Sequence, residues 1–153
     1  MCDYCGCRSR PLIARLGHDH DTLRSLVRAL RRTLDGNPAG VAAMVAPAGH
    51  LAAMLEDHSA LEEGGLYVEL DRAGISPDQL LDEHATVDAS VRAAADGHGD
   101  AVALRKALQT LDDHITREEY DLFAGAHQLL TDEAWDRLEQ HHVDHGPPGA
   151  PLS

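Results

Sequence analysis

Apolar residues along this chain recur three and four positions apart, and no stretch alternates in the manner of a half-buried strand. In SRPLIARLGHDHDTLRSLVRALRRTLDGN, the residues Leu12, Leu16, Leu23, Leu26, Val27, Leu30 and Leu34 form one stripe, which predicts a first long helix. Pro11 suits its first turn and Gly36 its stop. NPAGVAAMVAPAG reads as a broken connector with one short helical turn before Pro47. A second helix is expected from about Pro47 to Leu70, with a kink or a close approach at Gly64-Gly65, because each Gly weakens a helix by roughly 1 kcal/mol relative to Ala.

Ser76 as cap, Pro77 at the first helical position and Gln79 closing a capping box predict a third helix, which runs to about Ala95. DGHGD ends it, and a fourth helix spans about Asp100 to Leu130. TDEAWDRLEQHHVDH carries its own start signals. The expected fold is all-α, an up-down-up-down four-helix bundle with a short additional C-terminal helix. Residues 1–10 form a Cys-containing N-terminal segment, 11–130 the bundle, 131–145 the short helix and 146–153 a disordered tail rich in Pro and Gly.

A length of 153 residues supports one domain with a sizeable core. The formal charge of -13 excludes nucleic acid and anionic membrane surfaces as natural partners. No apolar run reaches the length of a membrane span, and MCDYCGCRSRPLI lacks the layout of a secretory signal, so a cytoplasmic protein is expected. Cys2, Cys5 and Cys7 make a compact C-x-x-C-x-C without the fourth ligand a zinc site needs, and read as part of a mobile N-terminus. Eleven His in such a chain is a high number, and asks what they bind.

The chain repeats itself. LEDHSALEEGGLY, Leu55 to Tyr67, returns as LDDHITREEYDLF, Leu111 to Phe123. HDTLRSLVRA, from His20, returns as HATVDASVRA, from His84. His58 and Glu62 lie four apart on one helix face, as do His114 and Glu118, and each pair falls on an apolar stripe. Helices one and three each add one His, His20 and His84. Buried imidazoles and carboxylates are costly without partners. Four imidazoles and two carboxylates converging in a bundle core make a metal site with room for two ions, and mixed nitrogen and oxygen donors suit iron, manganese or zinc. Glu63 and Glu119 point about 100° away and read as supporting or solvated groups. Their Ala variants are therefore expected to do little. His18 projects from the opposite face to His20, His50 and His127 belong on helix surfaces, and His98 lies in a turn. His141, His142 and His145 read as a solvated helix end, and Leu66-Tyr67 and Leu122-Phe123 as core packing or a pocket wall.

The ordered set His, His-x-x-x-Glu, His, His-x-x-x-Glu-Glu resembles the hemerythrin family, the HHE cation-binding domain, over roughly Pro11 to Leu130. The resemblance implies a centre of two iron ions, non-haem and oxo- or hydroxo-bridged, with manganese or zinc as lesser alternatives, that meets O2, nitric oxide or peroxide. It implies His20, His58, His84 and His114 as terminal ligands, with Glu62 and Glu118 as bridging carboxylates. Oxygen-carrying members have a second His one turn after the helix-three ligand, where this chain has Asp88. They also place the last carboxylate five residues after its His, which here would be Glu119, whereas the internal repeat favours Glu118. The function expected is binding or sensing of a small diatomic ligand or peroxide, or iron handling. The alternatives are an enzyme removing peroxide or nitric oxide, and a metal-free helical interaction module.

Overall fold

The structure, a computed structural model, describes residues 9–36 and 41–145. The readings of Cys2, Cys5, Cys7 and the tail 146–153 therefore lie outside the described residues. Among these residues there are five helical rods and no strand. The first, α1, is Pro11–Gly36, and its buried stripe includes Leu12, Leu16, Leu23, Val27, Leu30 and Leu34.

The second rod, α2, begins earlier than the sequence pattern predicts. Its α-helical part is Val41–Leu61 with Pro47 inside, followed by a π turn at Glu62–Leu66 and a last α-helical stretch, Tyr67–Arg72. A Pro in a helix interior costs roughly 3 kcal/mol. Here Met44, Ala48 and Leu51 continue one apolar face across it, 4%, 0% and 0% exposed. Burying side chains of the Met and Leu kind contributes about 1.5–3 kcal/mol each, which offsets the lost bond.

The third rod, α3, is Asp78–Ala95. Ser76 Oγ accepts from the Asp78 N–H at 3.3 Å, but Gln79 donates to Glu83 instead of closing a capping box. Gly74 (φ 85°) ends α2 and Gly97 (φ 79°) ends α3, both in the left-handed region where a Cβ would be strained. The fourth rod, α4, is α-helical over Ala101–Arg117, passes through a π turn at Glu118–Leu122 and ends with Phe123–Leu129. Asp100 caps it, accepting from the Val102 N–H. The fifth, α5, is Asp132–His145, with Thr131 Oγ1 accepting from the Ala134 N–H.

Helix α2 packs against α1 and α3, and α4 against α3 and α1. Their apolar faces form two clusters. Leu23, Val27, Leu30, Leu55, Val91 and Leu111 belong to one. Leu12, Leu16, Leu61, Tyr67, Phe123 and Trp135 belong to the other. Helix α5 is part of this second cluster through Trp135 and Leu138, each 1% exposed, and Arg137 ties it to Glu69 of α2. His141 is not the solvated helix end its position predicts. It is half-buried over the π turn of α2, where a Cβ on Gly65 would stand 2.6 Å from its Cδ2. The close approach expected at the Gly pair is this one. No helix among the described residues is long and apolar enough to cross a membrane.

Candidate metal centre

Each of the first four rods passes from one apolar cluster to the other, and at the crossing it presents a polar side chain. Helix α1 carries His20 between Leu16 and Leu23, and α2 carries His58 between Leu55 and Leu61. The structure brings together the six residues that the repeat singles out. His20, Glu62 and Glu118 are 0% exposed, His58 and His114 2%, and His84 8%.

Their inward atoms form two overlapping groups. One holds His20, His58, Glu62 and Glu118, the other Glu62, His84 and His114, with candidate ligand atoms within 4.8 Å of one another in each. Glu62 belongs to both. Its Oε1 stands 3.1 Å from His58 Nε2 and 3.7 Å from His20 Nε2, and its Oε2 stands 3.3 Å from His84 Nε2. Glu118 Oε2 stands 3.3 Å from His20 Nε2 and 3.4 Å from His114 Nε2.

The outward nitrogens follow the same repeat. His84 Nδ1 meets Glu63 at 2.8 Å, and His20 Nδ1 meets Glu119 at 3.2 Å. His114 Nδ1 meets Glu83 at 2.8 Å, and His58 Nδ1 meets Asp19 at 3.6 Å. So the acid preceding each single His serves the His of a neighbouring helix, and the second Glu of each motif serves the single His. Arginines hold three of these acids: Arg15 on Asp19, Arg24 on Glu119 and Arg117 on Glu83. A carboxylate on Nδ1 orients an imidazole and makes Nε2 the better donor to a metal. Asp19 and Glu83 were not recognised in the sequence. The available signal was the acid directly before His20 and before His84 in the repeat.

The charges fit this arrangement. Burial works against the charge on His20, but the Glu118, Glu119 and Glu62 carboxylates more than offset it and raise its pKa well above the usual value. His58 rises to about 9, burial again being outweighed, here by Glu62 and Asp19. Burial and the facing Glu62 charge both push the Glu118 carboxyl up, yet His114 and His20 bring it below the usual range. Protons on imidazole thus neutralise the carboxylates where a cation would otherwise do so. His20 Nε2, His58 Nε2, Glu62 Oε1 and Glu118 Oε2 are buried without a hydrogen-bond partner among the described residues, despite their short separations. Such groups each cost about 1–3 kcal/mol. Buried donor atoms gathered within 4.8 Å of one another and left without hydrogen-bond partners are what a cation satisfies when it replaces the imidazole protons, so the residues present fit a metal centre.

The two π turns start at Glu62 and at Glu118. In a π turn the backbone bonds run five residues back, so residues five apart come onto one face. Tyr67 therefore reaches Glu62, its hydroxyl 3.3 Å from Oε2, although an α-helix would set the two about 140° apart. The Tyr67 hydroxyl donates to Glu118 Oε1 at 2.6 Å, and lies 3.3 Å from His84 Nε2 and 3.5 Å from His114 Nε2. Burial, with Glu62 and Glu118 beside it, pushes the phenol pKa up. Phe123, the counterpart in the other motif, stacks on the His20 ring at 5.6 Å. The two halves match in His and Glu and differ here: one end has a phenol among the ligand atoms, the other a closed apolar lid.

The structure corrects some of these expectations and bears out others. Of the two readings of Glu119, the structure favours the supporting role over the solvated one: it is 4% exposed and paired with His20 and Arg24. Tyr67 does more than pack, since its hydroxyl is inside the polar layer. Asp88 turns to Arg92, both oxygens at 2.8 Å from Nε, and not to the imidazoles. His18, His50 and His98 are exposed, and His127 is half-buried.

The family model of the hemerythrin HHE cation binding domain matches residues 11–126, a span holding all six inward residues and stopping before α5. No curated protein and no solved structure matches the chain. With the match covering most of the chain, and a buried His/Glu cluster of the kind that holds a cation at its centre, the protein belongs to the hemerythrin HHE cation-binding domain family.

Proposed function

We propose that the protein is a non-haem di-iron protein that binds or senses O2, nitric oxide or peroxide, or handles iron. The carrying observation is the pair of donor groups that share Glu62. His20 and His58 would hold one ion and His84 and His114 the other, with Glu62 and Glu118 between them. The contacts of each helix with its chain neighbours support an up-down-up-down bundle around this centre. Iron, when bound, supplies the redox-active cation at which small oxygen and nitrogen ligands attach. The chain supplies the rest: carboxylates that balance the charge, Nδ1 partners that fix the His20, His84 and His114 rings, and a Phe123 lid that keeps water from His20. Tyr67 would hold its hydroxyl oxygen at the His84 end, with its proton kept on the bond to Glu118 Oε1.

A second reading, enzymatic removal of peroxide or nitric oxide, is favoured by the Tyr67 hydroxyl. It places a proton-bearing group 2.6 Å from Glu118 and next to two imidazoles. Anaerobic reconstitution with Fe(II) followed by elemental analysis tests the common premise, and two iron ions per chain are expected. Absence of bound iron overturns both readings. Exposure to air and then to peroxide separates them: a stable, reversible optical change supports binding or sensing, and sustained O2 release from peroxide supports the enzyme.

A further inference from the structure

We propose that the cleft between α2 and α3 is the route by which a divalent cation enters the centre, arriving at its His84–His114 end. The proposal rests on the metal reading given above. The cleft, of about 430 Å³, has Glu56, Glu63, Asp88 and Arg92 on its walls and reaches His84. A narrower pocket shares Leu55, Ser59, His84 and Asp88 with it and continues to His114. The cleft thus reaches the His84 side chain, which is 8% exposed. Among the described residues, the opposite end has His20 at 0% exposure with Phe123 stacked on its ring.

Charge favours a cation here. Three carboxylates face one guanidinium, and that guanidinium is already bonded to Asp88 and Glu56. A cleft with an excess of one sign of charge concentrates the opposite ion and speeds its arrival, an effect that falls with ionic strength. Glu63 joins the mouth to the interior, since its side chain is 42% exposed while bonded to His84 Nδ1. A second cleft, of about 290 Å³, approaches Glu118 from the α4 side. Its walls are mainly apolar, Arg117 and Asp121 on them offset each other in charge, and Glu118 behind it is 0% exposed. That cleft is the poorer route for a cation.

The test is the rate at which metal-free full-length protein takes up Co(II), read from the ligand-field absorbance without any assay of activity. Ser59→Trp fills the link between the two pockets and is expected to slow uptake at least tenfold at unchanged final Co(II) per chain. Ala85→Trp plugs the mouth from the α3 wall, and guards against a local effect of Ser59→Trp on the adjacent His58. Glu56→Lys is expected to slow uptake several-fold at low salt, the difference vanishing at high salt. Gly125→Trp, which fills the second cleft where a Cβ meets nothing within 4 Å, is expected to load at the wild-type rate. Wild-type uptake rates in both plugged variants, or slow uptake in Gly125→Trp, would overturn the route and leave the metal reading standing. A wild-type protein that takes up neither Co(II) nor Fe(II) overturns both.

Discussion

Replacing Glu119 by Ala, beside the matching change at Glu63, sets two residues that are equivalent in the sequence repeat against their different surroundings. Glu119 is 4% exposed and accepts from Arg24 at 2.9 Å while holding His20 Nδ1 at 3.2 Å. Its removal deletes two hydrogen bonds to charged or chargeable groups in a closed site. Such bonds contribute about 1.5–3 kcal/mol; the lower part of that range applies because Arg24 keeps 25% exposure and can turn to water. Two such bonds at the lower part of the range come to about 3–4 kcal/mol, and at about 2–4 °C per kcal/mol for a chain of this size the metal-free protein should lose roughly 6–16 °C in Tm. Loss of the Nδ1 partner should also weaken metal binding by about 10–100-fold. Glu63 makes the same bond to His84 at 2.8 Å, but with 42% exposure water replaces it, and a penalty within about 1 kcal/mol is expected. Calorimetric melting of both metal-free variants, and Zn(II) competition against a chelator, measure the two effects. Equal losses in the two variants would refute the reasoning, since burial would then not be what distinguishes them.

Tyr67→Phe should fold, lose the hydrogen bond to Glu118, and, like the wild type, show no phenolate-to-iron charge-transfer band when iron-loaded; a band in the wild type that the variant loses would put Tyr67 in the ligand set. Gly65→Ala should destabilise by about 1–3 kcal/mol through overpacking, since its Cβ would lie 2.6 Å from the His141 ring, and a His141→Ala background should abolish most of that cost in a melting cycle. Glu69→Gln should lower Tm at neutral pH by releasing Arg137 of α5. Arg137 draws the Glu69 carboxyl below its ordinary 4.5, so its contribution is present above that value and lost as pH falls through the lower folded value. The Tm gap between wild type and Glu69→Gln should therefore close with acidification below about pH 4, and a gap constant down to pH 2 would show that the pair does not stabilise the docking of α5.

How much of this was legible beforehand follows from the range over which each interaction acts. The inward set was legible because His58 with Glu62, and His114 with Glu118, obey the i, i+4 rule of a single helix, and the repeat points to His20 and His84. The helices were legible from their stripes and end signals, as at Gly36, Ser76 and Thr131. Pro47 misled because a local breaker was outweighed by Met44 and Leu51, whose burial depends on partners distant in the chain. Glu119 misled because 100° of α-helical rotation turns it from the core, yet α1 brings His20 and Arg24 to meet it there. Tyr67 was hidden by the same rotation until a π turn altered the phase and aligned it with Glu62. The sequence by itself determined which side chains share a helix face, since that needs only the period of one helix. The Nδ1 partners, the phenol at one end and the cleft that reaches His84 are set by how neighbouring helices pack and where a helix departs from its period, and these only the tertiary structure decided.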